Sequence, residues 1–132
     1  MGEKVCRGIR GATRADANRP DAILSATREL LLAMMHDNDV KVEDVACAYF
    51  TTTPDLTAAF PATAARLLGG GWEDIALMGS HEIDVPDVMP GVIRVMVLVN
   101  TEKRAKDLKR TYLKDTQTLL SGGVPSDGAA PA

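Results

Sequence analysis

The run Val92-Ile93-Arg94-Val95-Met96-Val97-Leu98-Val99 limits the possible folds of this chain more than any other segment. It is rich in β-branched residues, which favour a strand over a helix. In the two-residue period of a strand, four aliphatic side chains share one face, while Arg94, Met96 and Leu98 share the other. A strand that is apolar on both faces is usually covered on both faces. The run therefore predicts a strand with packing on each side.

Arg94 is the only charged residue in this run, and nothing in the local pattern explains it. A covered guanidinium must find an anion or hydrogen-bond acceptors, because an unpaired buried charge costs several kcal/mol. The alternative is an arginine on an edge strand whose charged head reaches water. Arg94 is therefore a candidate anion-binding residue.

The remaining segments predict a domain in which helices pack on a sheet, of the α/β or α+β class. Further strands are predicted at 5–13, 45–52 and 75–78, a helix from Pro20 to Asp37, and a short helix at 60–68 with Pro61 in its first turn. Gly69-Gly70-Gly71 could end the short helix or form a phosphate-binding loop. The helix end is favoured, because no Gly-Lys-Ser/Thr follows the glycines. A capping position at Asn100-Thr101 predicts a last, charged helix that carries Lys106, Lys109, Arg110 and Tyr112.

Length and composition predict one soluble domain over residues 1–120 and a flexible tail over 121–132, where apolar residues are scarce. A net charge of −3 gives no reason to expect nucleic acid or an anionic membrane as a partner. Cys6 and Cys47 lie in apolar runs without a Cys/His cluster, so they are predicted to be core thiols, and no metal site is expected. Without a signal-peptide or transmembrane run, the expected location is the cytoplasm.

Four polar residues stand beside apolar sequence or at the ends of elements: Arg10, Glu82, Arg94 and Tyr112. No hydroxyl, histidine and carboxylate follow one another in an order that suggests a nucleophile, and a single histidine such as His81 is more often a surface residue than a base. Arginines outnumber any candidate base. The excess of arginines favours a site that binds an anion, such as a small dicarboxylate or a phosphate.

Five motifs occur in order along residues 5–115 and together resemble one enzyme family. They are Arg7-Gly8-Ile9-Arg10-Gly11-Ala12-Thr13, the segment from Thr53-Pro54-Asp55-Leu56 to Phe60-Pro61-Ala62, Glu82-Ile83-Asp84-Val85, Val92-Ile93-Arg94-Val95 and Tyr112-Leu113. The chain resembles the small monofunctional chorismate mutases of the trimeric α/β class, as distinct from the all-helical class. The resemblance implies an α+β subunit with a mixed β-sheet packed against helices, a barrel-like homotrimer with active sites between subunits, chorismate as substrate, and no cofactor.

The resemblance also implies roles for individual residues. Arg94 corresponds to the arginine beside the breaking ether bond of chorismate, and Arg10 and Tyr112 to groups that bind substrate carboxylates. Glu82 corresponds to the acceptor of a hydrogen bond from the ring hydroxyl, and the expected catalytic residues are Arg94, Glu82 and Arg10. Further expected binding residues are Phe60, Ala62 and Arg66 from the neighbouring subunit, and Met78, Gly79, Ser80 and His81 in a loop that wraps the ring.

Some positions depart from the family pattern. Gly79 stands where a cysteine is common, Thr63 where a lysine is common and His81 where a glutamine is frequent, and a Leu-Arg-Pro segment near the C-terminus is replaced by Leu119-Leu120-Ser121-Gly122. The lost cations predict a raised KM more than a lowered kcat. Two other interpretations stay open: a non-catalytic trimeric binder of a small carboxylate metabolite, and an enamine or imine deaminase on a similar architecture.

Overall fold

The computed structural model describes residues 2–121. Within them the chain forms two α-helices and five strands, with short 3₁₀ turns between several of them. In chain order the elements are β1 (Val5–Arg14), α1 (Pro20–Asp37), β2 (Val45–Thr52), α2 (Ala62–Leu68), β3 (Ala76–His81), β4 (Val92–Thr101) and β5 (Thr111–Tyr112).

The five strands form one mixed sheet in the order β3-β2-β4-β1-β5. The central strand β4 is antiparallel to both β1 and β2, while β3 runs parallel to β2 and β5 runs parallel to β1. The predicted α+β class with a mixed sheet is confirmed. The strand that carries Arg94 is therefore the centre of the sheet, so an edge position does not explain its charge.

One face of the sheet holds the hydrophobic core. Ile93, Val95, Val97 and Val99 of β4 are each at most 2% exposed, and Leu30, Leu31 and Met34 of α1 pack into the same cluster. Helix α1 begins at Pro20, whose fixed φ suits a first helical turn. The alternating pattern of β4 thus correctly identified the residues that face the helices.

The other face, called here the open face, is not covered by the subunit itself. Met96 is 43% exposed and Tyr49, opposite it on β2, is 40% exposed. The Arg94 side chain is 50% exposed. Within the described residues, the expectation of packing on both faces of β4 is therefore wrong for a single subunit.

The predicted charged helix after Thr101 does not form. β4 continues through Thr101, which pairs with Val5, so the expected capping residue belongs to a strand. The chain then makes a 3₁₀ turn at Ala105–Asp107 and enters β5. Between 102 and 110 the sequence offers no apolar stripe that could hold a helix on the sheet, whereas β5 gains pairing with β1.

Three smaller expectations also change. β3 runs to His81, because its parallel pairing with β2 continues as far as Thr52. Cys6 is exposed and Cys47 is half-buried outside the hydrophobic core, so the prediction of two core thiols is wrong. Of the predicted tail at 121–132, residues 122–132 lie outside the described part of the chain. None of the helices formed by residues 2–121 is long and apolar enough to cross a membrane.

Candidate active site

Strand register brings polar residues from distant parts of the sequence into one row on the open face. Thr51 of β2 and Ala12 of β1 lie on either side of Arg94, and Tyr112 of β5 lies beside Ala12. Side chains that are directly paired across neighbouring strands point to the same face of a sheet. The sheet therefore holds Arg94 between a hydroxyl on one side and a phenol two strands away on the other.

Glu82 joins this row from the end of β3. Its backbone N–H donates to the Thr52 carbonyl at 2.7 Å, which continues the β2–β3 pairing by one residue. Its Oε2 accepts a hydrogen bond from Thr51 Oγ1 at 2.6 Å and another from Arg94 Nη1 at 3.2 Å. The carboxylate is thus fixed by two donors, one of them charged.

Arg94 keeps most of its hydrogen-bonding capacity. A guanidinium has five N–H donors, and Glu82 is the only hydrogen-bond partner of the Arg94 side chain within residues 2–121. Its side chain is 50% exposed and that of Glu82 is 29% exposed, so both reach the cleft. Arg94 can therefore bind a second anion or a developing negative charge without giving up Glu82.

Arg10 and Tyr112 complete a cleft of about 320 Å³ on the open face, which all four predicted polar residues line. Arg10 is paired with Met96 on β4, one step along the sheet from the Arg94 row, and its side chain is exposed. Tyr112 is half-buried in β5. Within residues 2–121 Arg10 makes no ion pair, so its charge is free for a ligand.

Five residues that line the cleft were not predicted from the sequence as site residues: Gly11, Tyr49, Thr51, Val95 and Met96. Met96 could have been found, since it shares the face of Arg94 in the two-residue period. Tyr49 and Thr51 alternate in the same way along β2, but only the register between β2 and β4 shows that they stand opposite Met96 and Arg94. Sequence alone does not supply that register.

The other predicted residues line a separate cavity of about 580 Å³ in the same subunit. These are Phe60, Ala62, Arg66, Met78, Gly79, Ser80 and His81. The last four belong to the edge strand β3, so the expected loop around the ring is a strand. Its parallel pairing with β2 is the physical reason. The His81 ring nitrogen Nε2 lies 3.0 Å from the Leu56 carbonyl oxygen. One subunit does not bring the two groups of predicted residues into one cavity.

The cleft on the open face therefore presents two guanidinium groups, a carboxylate, two phenols and an aliphatic hydroxyl. Such a set binds anions and stabilises charge that develops on an oxygen. Within residues 2–121, no group of three or more His, Cys, Asp or Glu side chains is placed to hold a metal ion.

Comparison with known proteins identifies the family. A family model described as chorismate mutase type I matches residues 6–121. This chain belongs to the chorismate mutase type I family. The fold class, the enzyme class and the family predicted from the sequence are confirmed: the family is one of isomerases with an α+β subunit.

Individual chorismate mutases are similar over most of the chain. Chorismate mutase AroH of Thermus thermophilus is 43% identical over 116 residues, which span 87% of this chain and 93% of the relative. Chorismate mutase AroH of Bacillus subtilis strain 168 is 37% identical over 115 residues, spanning 87% and 90%. A solved chorismate mutase structure from Clostridium thermocellum is 45% identical, covers 86% of this chain and 99% of its own, and superposes with a TM-score of 0.82.

In this chorismate mutase chain, Gly79 lies in the middle of β3 with its Cα paired to Phe50. A Cβ at this position would meet the Phe50 carbonyl oxygen at 3.3 Å, so the backbone of β2 would have to give by a few tenths of an ångström. The glycine adds no side chain to the cavity that β3 lines.

Proposed function

We propose that this chain converts chorismate to prephenate in the biosynthesis of phenylalanine and tyrosine, and that the cleft on the open face is half of its active site. The observation that carries the proposal is the meeting of Arg10, Glu82, Arg94 and Tyr112 in one cleft from four separate strands or strand ends. The rearrangement breaks a carbon–oxygen bond while a carbon–carbon bond forms. It needs no nucleophile, base or cofactor, so positioning and charge stabilisation suffice.

Arg94 is proposed to stabilise the negative charge that grows on the ether oxygen as the bond breaks. Its free N–H donors are available for this, while Glu82 holds the guanidinium in place. This interaction is stronger in the transition state than with bound substrate, and such interactions raise kcat. One preorganised donor of this kind contributes about 3–4 kcal/mol, or about 10²–10³ in rate.

Arg10 and Tyr112 are proposed to bind the substrate carboxylates, and Glu82 to accept a hydrogen bond from the ring hydroxyl. Arg10 has no ion pair of its own in the described residues, so a carboxylate would be its first anionic partner. Holding both ends of the reacting arm in a fixed geometry lowers the entropic part of the barrier.

A homotrimer with active sites between subunits is proposed as the working assembly, located in the cytoplasm. The open face leaves Tyr49 and Met96 unpacked, and Phe60, at the rim of the second cavity, is 78% exposed. Exposed apolar groups of this size favour contact with another subunit. A neighbour that covers the open face would bring Phe60, Ala62 and Arg66 to the cleft that holds Arg94.

The proposal is tested by mixing the purified protein with chorismate alone and following the loss of its diene absorbance. We expect prephenate to form without cofactor or metal. Arg94→Ala should lower kcat by more than about 10³-fold, and Arg94→Lys should recover little, because an ammonium lacks the guanidinium fork. Arg28→Ala, on the outer side of α1, is the control and should match the wild type.

Near-normal turnover in Arg94→Ala would remove Arg94 from the mechanism. Tight binding of chorismate without turnover would favour a carboxylate-binding protein, and release of ammonia from an enamine or imine would favour a deaminase. Failure to act on any of these substrates would refute the enzymatic proposal.

Shared active sites can be tested separately by subunit complementation. Arg94→Ala and Arg66→Ala damage opposite halves of the proposed site, so each homotrimer should be impaired. In trimers assembled from an equal mixture, about one quarter of the interfaces would combine an intact Arg94 with an intact Arg66. Recovery of about that fraction of activity is expected, whereas no recovery would place both residues within a single subunit's site.

A further inference from the structure

A second groove lies beside the active-site cleft because β5 is short. β5 pairs with β1 only at Gly11 and Ala12, so the chain before Thr111 stands away from β1. Residues 8–10 of β1 then face the segment 105–110 across a cavity of about 610 Å³. The roles proposed above assign no function to this cavity.

The groove is strongly cationic although the chain carries a net charge of −3. Arg10, Lys106, Lys109 and Arg110 line it. The segment 103–110 contains five cations and one carboxylate, Asp107, and Asp107 is not among the residues that line the groove. Within residues 2–121 none of the four lining cations has an ion pair or a side-chain hydrogen bond. Four cations without partners around one groove create a local positive potential that attracts anions.

The backbone of this cationic segment is held in place by the end of α1. Asn38, which is 2% exposed, accepts a hydrogen bond from the Lys109 N–H at 2.7 Å and donates to the Lys109 carbonyl at 3.1 Å. Thr111 Oγ1 donates to Asp37 Oδ2 at 2.9 Å. The segment that carries the cations is therefore a fixed wall of the groove, even though the charged side chains themselves are exposed.

The groove and the active-site cleft are contiguous. Arg10 and Met96 line both cavities, so one guanidinium stands at the boundary between them. An anion drawn to Lys106 and Lys109 would be next to Arg10, which is the proposed carboxylate partner in the cleft. Charge in a concave site raises the local concentration and the association rate of an oppositely charged ligand.

We propose that this groove captures the dicarboxylate substrate and passes it to the cleft through Arg10. The identity of the dicarboxylate rests on the proposed function; the anion site itself rests on the groove. Lys106, Lys109 and Arg110 then contribute to the association of substrate and not to the chemical step, and Arg10 takes part in both.

The test compares two double variants that remove the same charge. Lys106→Gln/Lys109→Gln removes two of the four groove cations, and Arg28→Gln/Lys41→Gln removes two exposed cations that line neither the cleft nor the groove and have no ion pair within residues 2–121. We expect the groove variant to lower kcat/KM by about tenfold at about 20 mM ionic strength, with kcat within about twofold of wild type. The difference in kcat/KM between the wild type and the groove variant should vanish by about 0.5 M salt, where the Debye length is only a few ångströms. The control should match the wild type throughout.

Equal behaviour of the two double variants, or a salt dependence of kcat/KM as steep in the groove variant as in the wild type, would overturn the proposal. A second arm does not depend on catalysis: succinate, a dicarboxylate that cannot rearrange, is titrated into isotope-labelled protein. Amide resonances of 105–110 should shift in the wild type and much less in the groove variant. If the wild type lacks mutase activity, the proposed function fails, and this titration alone supports or overturns the anion site.

Discussion

Replacing Thr51 with valine tests how the carboxylate of Glu82 is held. Thr51 Oγ1 donates to Glu82 Oε2 at 2.6 Å, and the same oxygen accepts from Arg94 Nη1 at 3.2 Å. Valine keeps the β-branched shape that suits β2 and removes only the hydroxyl. Hydrogen bonds to charged groups contribute about 1.5–3 kcal/mol net. Because the Glu82 side chain is 29% exposed, water can replace part of this bond, so the low end of that range applies.

A loss of about 1.4 kcal/mol corresponds to about tenfold, so Thr51→Val should lower kcat/KM by about that factor. The assay is steady-state kinetics with chorismate, together with the thermal midpoint of unfolding. Thr51→Ser, which keeps the hydroxyl, is the conservative control and should recover most of the loss. If Thr51→Val stays within twofold of the wild type, or if Thr51→Ser is equally impaired, the hydroxyl does not position Glu82 and the reasoning is wrong.

Three further changes have defined outcomes. Gly11→Ala should destabilise the fold by about 1–3 kcal/mol, because a Cβ there would lie 2.5 Å from the Thr111 carbonyl oxygen and push β5 away; Gly8→Ala, whose Cβ would have 3.6 Å to its nearest neighbour, is the control in the same unfolding assay. Asn38→Ala should lower stability by about 1–3 kcal/mol, since it leaves the N–H and carbonyl of Lys109 without their partner, and denaturant unfolding would measure it. The kcat profile should be flat between about pH 6 and about pH 8, because the reaction transfers no proton; a sharp bell-shaped profile would contradict this.

Much of the fold could be predicted because the core strands and α1 carry strong periodic patterns. The alternation along β4 identified four of its five buried aliphatic residues, and Pro20 marked the start of α1. β5 could not be predicted, since two residues are too few for a periodic signal and their strand character comes from pairing with β1. The same limit explains why a helix was wrongly predicted after Thr101. The residues at 100–101 suit a helix cap, but Thr101 pairs with Val5 and therefore stays in β4.

The site was predictable in composition but not in arrangement. Arg94 was found because a guanidinium breaks an apolar pattern, and Arg10, Glu82 and Tyr112 because they stand at the ends of apolar segments. Thr51 was missed because a threonine in a strand is ordinary. Its importance depends on register, and the irregularity between Val45 and Cys47 shifts the pairing of β2 with β4. Such a shift changes which residues meet across strands, and no local pattern fixes it.

The exposure of Arg94 links catalysis to assembly. Two unit charges 4 Å apart interact by about 1 kcal/mol in water and by about 4 kcal/mol at an effective dielectric constant near 20, the value that best describes sites in proteins, including buried ones. A guanidinium that is 50% exposed in the single subunit lies nearer the first limit. If the cleft stayed open, Arg94 could bind an anion but would contribute little to the stabilisation of the ether oxygen. A neighbouring subunit over the open face would exclude water. Only then would Arg94 stabilise the negative charge on the ether oxygen as strongly as the proposed mechanism requires.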